Sequence, residues 1–256
     1  MPIDVNWLRL QMPDRRIDWH DAIDSTMAQA SRLAEAGVPS GTVIGAEEQS
    51  AGRGRHGRSW HSEPGSGLYV SIILRRQFTP AALPVVTLAL GLAVQEAILK
   101  ATDLPCDLRW PNDVLIQSKK CAGILTQLEA STHPSAIIAG IGINVNHSSF
   151  PSELNAIATS LRIASGRMES RERLLVEILA SVDTYCDLLE TQGRGPIIEM
   201  FARASSYVSG RRVYVDQDGS QLRGTTAGLN DSGFLMLRSD DGTSSVIVAG
   251  GVLPCS

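Results

Sequence analysis

The sequence predicts an α+β protein with a small all-β unit at its C-terminal end. Two observations carry that reading. Strand-like and helix-like segments alternate through residues 1–205, bounded by glycine, proline or a capping residue. Residues 206–256 then change to short strands separated by Asp, Asn and Gly turns, the pattern of a small barrel. The boundary falls near Ser206.

Taken in order, residues 16–20 form a short strand. Asp24-Ser25-Thr26 then caps a helix over 27–36, which Gly37 ends. Residues 42–47 are a strand leading into a Gly/Arg segment. Residues 67–74, rich in β-branched and aromatic side chains, are a strong strand. A helix over 84–101 carries proline in its first turn. Strands follow at 106–110, 114–117 and 123–129, with Ser118 and Lys119 at the turn between the last two, and another spans 136–145. Residues 151–160 are polar and irregular. Residues 171–189 are a long amphipathic helix with Leu174, Leu175, Ile178, Val182 and Tyr185 on one stripe, and 196–205 a shorter one. Strands at 212–215, 224–229, 234–237 and 245–248 alternate with turns at 217–219, 230–233 and 240–242.

Composition narrows the function. The 256 residues are 43% hydrophobic and 20% charged, ordinary for a globular chain. Net charge is -4 and the isoelectric point about 5.7, with no basic face for nucleic acid outside one loop. The four cysteines are scattered and form no CxxC pair, which argues against a cysteine-built zinc site or a disulfide framework. They read as reduced thiols of a cytoplasmic protein. No signal peptide is visible at the N-terminus, and the most apolar stretch, 81–94, is too short for a membrane span of roughly 20 residues.

The chemistry concentrates in a few segments. Residues 51–60 read Ala-Gly-Arg-Gly-Arg-His-Gly-Arg-Ser-Trp. Glycine lets backbone N–H groups approach a ligand, and arginine adds a planar fork suited to phosphate and carboxylate. Such a loop closes over an anion. The alternatives are a solvated basic loop or an Arg-Gly nucleic-acid tract. Asp24-Ser25-Thr26 is a helix cap whose N–H and hydroxyl groups also suit a carboxylate or ureido group. In Arg109-Trp110-Pro111-Asn112-Asp113, proline forces Trp110 to be extended, and two poor strand formers lead into a strand. That reads as a plain turn or as a polar site touching phosphate or metal. Lys119 and Lys120 begin a strand and face opposite ways. Gly140 and Gly142 leave one strand face bare, either for tight packing or for a flat ligand.

In this order, and with Gln49, Lys120-Cys121-Ala122-Gly123-Ile124-Leu125 and Gly142-Ile143-Asn144, these segments resemble the biotin protein ligases. The resemblance covers residues 16–205, and the C-terminal barrel matches too. It implies a mixed sheet with packed helices and an SH3-like barrel. It also implies a two-step reaction. Biotin and ATP give biotinyl-5′-AMP with Mg²⁺, and biotin then passes to a lysine of a biotin carboxyl carrier protein.

The resemblance assigns roles as well. Lys120, Arg53 and Arg55 are the expected catalytic residues. Ser25, Thr26 and Gln49 hold the polar head of biotin, with Met27 and Trp60 beside it. Arg53, Gly54 and Arg55 cover the carboxylate and phosphate, and Gly123 and Gly142 wall the apolar rings. Arg58, Asn112 and Asn144 join Arg53, Arg55 and Lys120 around ATP, with Asn112 or Asp113 near Mg²⁺. Residues 150–161 order over adenine. Met27 departs from the family's frequent Asn, and Val252 and Ser256 stand where some members carry charges. Residues 1–15 are too few for a DNA-binding domain, so no repressor activity and no DNA partner are expected. The protein is expected to be a monomer or homodimer. Two alternatives remain: a lipoate or octanoate ligase on the same fold, and an RNA-binding protein. The second needs several aromatic stacking residues near the loop, where only Trp60 stands.

Overall fold

The computed structural model describes residues 2–130, 135–217 and 220–255. The chain opens with a helix α1 (Val5–Gln11), capped by Asp4, whose side chain accepts from the Trp7 N–H. Then come β1 (Ile17–Ile23), α2 (Thr26–Glu35), β2 (Val43–Gln49) and β3 (Gly67–Leu74). Helix α3 (Leu83–Thr102) leads to β4 (Asp107–Arg109), β5 (Asp113–Ile116), β6 (Lys119–Glu129) and β7 (Ala136–Asn144). These seven strands form one sheet in the order β1-β2-β3-β7-β6-β5-β4. Only β1 and β2 run parallel within it, so the sheet is mixed, as expected.

The helices α4 (Leu161–Ser165), α5 (Arg171–Gln192) and α6 (Arg194–Ala204) follow. Helix α3 packs on α5 and α6. Strand β3 is buried along its whole length, with helices against both faces of the sheet. Its Leu68, Val70, Ile72 and Leu74 join the core shared with α3 and α5. On the opposite face Ile73 meets Met27, Ala30 and Ala34 of α2. At 20 residues with mean hydropathy 1.5, α3 is long and apolar enough to cross a membrane, contrary to the expectation drawn from 81–94. Most of it is buried in the molecule, so its apolarity belongs to the core.

A second, antiparallel sheet holds β8 (Ser209–Gln217), β9 (Ser220–Leu229), β10 (Leu235–Arg238), β11 (Ser244–Ile247) and β12 (Gly251–Pro254), in the order β11-β10-β9-β8-β12. This matches the expected small barrel-like unit. It is packed onto the larger sheet. Val213, Leu235, Ile247 and Val252 belong to the same core cluster as α3, and the Trp110 Nε1–H donates to the Gly233 carbonyl at 2.9 Å.

Several details differ from the sequence expectation. Helices α1 and α4 and strand β12 are additional, all short elements without a full period of apolar residues. The turn before β6 is Gln117-Ser118, both at positive φ, as a two-residue hairpin requires. Strand β6 therefore starts at Lys119 rather than near 123. The 51–60 segment is not without structure. Arg55–Gly57 is a 3-10 turn and Arg53 bridges Ser59. Asp218 and Gly219 of the expected 217–219 turn lie outside the described residues, as does Ser256.

Candidate functional site

Three adjoining clefts meet at Lys120. The first, about 460 Å³, is lined at one end by Ser25, Thr26, Met27 and Gln49, and at the other by Arg53, Gly54, Arg55 and Lys120. The polar end is prearranged. The Thr26 N–H and hydroxyl both donate to Gln49 Oε1, at 2.8 and 3.0 Å. Gln49 thereby keeps its amide nitrogen as a donor. Ser71, in the otherwise apolar β3, donates to Thr26 Oγ1 at 2.9 Å and holds that hydroxyl from behind. Ser25 is the N-cap of α2, yet its side chain makes no cap bond and its buried Oγ has no partner among the described residues. An unpaired buried hydroxyl is costly, so this one is poised for a polar ligand atom. Asp24 bonds the Ser25 N–H at 2.7 Å instead.

The glycine face is real but not bare. Gly123 and Gly142 are paired across β6 and β7. A Cβ on Gly142 would lie 2.6 Å from the Trp60 ring, and one on Gly140 2.7 Å from Met27 Sδ. The space expected for a flat ligand therefore receives the Trp60 indole and the Met27 thioether. Met27 serves as packing, 5% exposed, with no polar atom to offer a ureido group.

Lys120 lies next to a β-bulge. Leu115 pairs with Lys120 while Val114 pairs with Ala122, so the register shifts at this point. The Lys120 ammonium reaches Asp113 Oδ1 at 2.5 Å and lies 5.3 Å from the Trp60 ring centroid. Arg109 grips the other Asp113 oxygen at 2.6 Å. Burial pushes the Asp113 carboxyl up, but Lys120 and Arg109 outweigh it and hold it below the ordinary carboxylate value. Lys119 turns away and donates to the Asn155 carbonyl at 2.9 Å.

The second cleft, about 960 Å³, is lined by Arg55, Arg58, Asn112, Asp113 and Lys120, with Asp216 and the Gly250-Gly251 backbone of the barrel. Arg55 Nη1 donates to Asn112 Oδ1 at 3.2 Å and to the Gly250 carbonyl at 3.3 Å, joining loop, sheet and barrel. Burial lowers the Arg55 pKa, and the Asp113 charge opposes that shift. Within the loop, Gly54 N–H donates to the Arg58 carbonyl at 2.7 Å and Trp60 N–H to the Gly52 carbonyl at 2.9 Å. A Cβ on Gly52 would lie 2.9 Å from the Trp60 carbonyl, which is why the position needs glycine.

The third cleft, about 1070 Å³, has Phe150, Leu154, Ile157 and Leu253 for apolar walls, and Arg58, Lys120 and Asn144 at its polar side. Asn144 spends its amide nitrogen on the Thr159 carbonyl at 3.1 Å, holding the 150–161 segment against β6 and β7. Lys120 N–H donates to the Ile157 carbonyl and Thr159 N–H to the Lys120 carbonyl, at 2.8 and 2.9 Å.

All the sequence-expected site residues thus line one connected region. Sequence reasoning missed Ser71, whose signal was a lone hydroxyl in an apolar strand, and the barrel's Gly250 and Leu253, for which no local signal exists. Val252, an uncharged departure from the family pattern, is 2% exposed and packs in the core. Ser256 cannot be placed in the site, being outside the described residues.

A polar-ended cleft, a cationic loop and a held lysine thus meet on the interior strands β6 and β7, an arrangement that suits an enzyme activating a carboxylate. The biotin/lipoate A/B protein ligase family matches residues 19–144. The bifunctional ligase/repressor BirA of Bacillus subtilis is 36% identical over 94% of this chain and 75% of its own length. A biotin–acetyl-CoA-carboxylase ligase of Mycobacterium tuberculosis is 31% identical over 98% of this chain and 94% of its own. The Aquifex aeolicus biotin protein ligase in complex with biotin and ATP superposes with a TM-score of 0.80 at 32% identity, over 93% of this chain and 97% of that one. The chain belongs to the biotin/lipoate A/B protein ligase family.

Proposed function

We infer that this chain is an ATP-dependent biotin–carboxyl carrier protein ligase. A biotin carboxylate oxygen bonds to the α-phosphorus of ATP, and the bond to the β-phosphate breaks to release pyrophosphate. A carrier lysine amine then attacks the acyl carbon. The amide forms, the bond to AMP breaks, and the amine proton leaves to solvent. The carrying observation is Lys120, a cation held by Asp113 where the Thr26–Gln49 cleft meets the Arg55–Arg58–Asn112 cleft. Two anions have to meet there, and a preorganised cation stabilises the charge that develops between them.

The Ser25 hydroxyl and the Gln49 amide nitrogen supply donors for a ureido group, with Thr26 fixing Gln49 through its own N–H and hydroxyl, while Gly123, Gly142, Trp60 and Met27 supply its apolar surround. Arg53, Gly54 and Arg55 cover the reacting atoms. Arg58 and Asn144 face the nucleotide, and the 150–161 segment with Phe150 suits adenine. Asn112 and Asp113 do not fit a directly held Mg²⁺, because Asn112 Oδ1 accepts from Arg55 and both Asp113 oxygens are gripped by Arg109 and Lys120. Phosphate charge is met here by arginine and lysine.

Residues 1–205 are the catalytic unit for biotin and ATP, and residues 206–256 the SH3-like barrel, whose Gly250 and Leu253 close the second and third clefts. The acidic balance supports an enzyme that does not bind DNA, and the four free, scattered cysteines support a cytoplasmic one. Pyrophosphate release from ATP that depends on biotin, and not on lipoate, tests the reading. Release driven by lipoate instead would favour the other branch of the family.

A further inference from the structure

Beside the third cleft lies a group of side chains that the ligase chemistry does not use. His61 and Glu63 follow the Gly/Arg loop, and His147 follows β7. One ligand atom from each lies within 4.8 Å of the other two. We propose that His61, Glu63 and His147 form a binding site for a divalent first-row transition ion of the Zn²⁺ class.

The donor set argues for that class. Two imidazoles and one carboxylate suit Zn²⁺ and leave a coordination position open. Mg²⁺ and Ca²⁺ prefer all-oxygen sites. The geometry supplies one fixed ligand and two adjustable ones. His147 is 0% exposed, and Phe150 stacks on its ring at 5.2 Å between centroids. Its Nε2 lies 3.3 Å from the Tyr69 hydroxyl and 3.9 Å from Glu63 Oε2, and its buried Nδ1 has no hydrogen-bond partner among the described residues. Tyr69 also fixes the backbone of Glu63, accepting from its N–H at 3.0 Å and donating to its carbonyl at 3.2 Å.

His61 is exposed and the Glu63 side chain is 45% exposed, so both can close on the buried imidazole. Zinc–ligand bonds of about 2.0–2.2 Å need ligand atoms roughly 3.4 Å apart. The closure required is on the order of 1 Å, which two solvent-facing side chains can make. His61 directly follows Trp60, whose ring covers the glycine face. A bound ion would clip the trailing end of the loop to the chain leaving β7, beside the 150–161 segment.

The test uses the full chain after chelator treatment, with Zn²⁺ followed by calorimetry and Co²⁺ by visible absorption. One equivalent should bind, and the Co²⁺ spectrum should lack a thiolate charge-transfer band, since Cys106, Cys121, Cys186 and Cys255 take no part. His61→Ala and Glu63→Gln alter exposed side chains and should fold, and each should weaken Zn²⁺ by at least about tenfold. His147→Gln is the third variant, but the first two decide if it fails to fold. No binding, a thiolate band, or affinity unchanged in both His61→Ala and Glu63→Gln overturns the proposal. These readouts need neither biotin nor ATP, so they stand or fall separately from the ligase reading.

Discussion

Two ion pairs in this molecule share their chemistry and differ in their access to solvent. On the covered side of the sheet, Arg171 Nη1 meets Glu47 Oε2 at 2.8 Å, with side chains 4% and 10% exposed. The other Glu47 oxygen accepts from the Ile3 N–H at 2.8 Å and the Trp19 indole at 3.1 Å. Arg171 also donates to the Gly67 carbonyl at 3.1 Å. At the clefts, Asp113 is likewise held, by Arg109 and Lys120, but Lys120 is 30% exposed and faces three cavities. The sealed pair can only hold β2, β3 and α5 together. The open pair stands where an anion entering the clefts can reach Lys120. What separates the two is the surrounding wall, closed around Arg171 and Glu47 and open at Lys120.

The largest effect should come from breaking the sealed pair. Arg171→Leu leaves Glu47 buried without its cation and should cost about 3–5 kcal/mol in urea unfolding, with biotin affinity of the folded fraction retained. A midpoint equal to wild type would erase the distinction. Lys120→Ala should do the reverse. Biotin-dependent pyrophosphate release should fall roughly 10²–10³-fold, with a smaller loss of thermal midpoint than Arg171→Leu because Arg109 still pairs with Asp113. A variant that is destabilised but fully active per folded molecule would place Lys120 with the structural pair.

Gly142→Ala sharpens the open side. Its Cβ would meet the Trp60 ring at 2.6 Å, so the indole has to move. Overpacking of about 1–3 kcal/mol should appear as a raised biotin KM, and an unchanged KM would show that Trp60 does not shape that cleft. The pH dependence is smaller in scope. Asp113 titrates below the ordinary 3.8 once folded, so its contribution to stability is complete above that value. It is lost as pH falls through the depressed folded value. Acid unfolding of Asp113→Asn should lack this limb, and identical acid limbs would argue that the pairing is too weak to matter. The smallest effect belongs to Lys119→Ala, within about 0.5 kcal/mol and without loss of adenylate formation, because its ammonium points to Asn155.

Much of the candidate site is legible in the sequence because its signals are local. Alternating glycine and arginine at 52–58, a Ser-Thr cap and a lysine beginning a strand each reflect backbone or charge needs that one segment expresses alone. The faces of Lys119 and Lys120 followed from strand alternation, even though the turn sits one residue earlier than expected. The pairing of Lys120 with Asp113 was not legible, because it depends on a bulge between two strands.

By itself, then, the sequence determined the α+β alternation, the small barrel and the residue types that line the clefts, since periodicity, caps and turns are short-range properties. Only the tertiary structure decided what meets what. It laid Trp60 and Met27 on the glycine face, brought Arg55 to the barrel's Gly250 carbonyl, and buried Glu47 with Arg171 across 124 residues of chain. Those contacts join segments that carry no mark of one another, because whether a charge is sealed or open depends on the walls that other parts of the chain build around it.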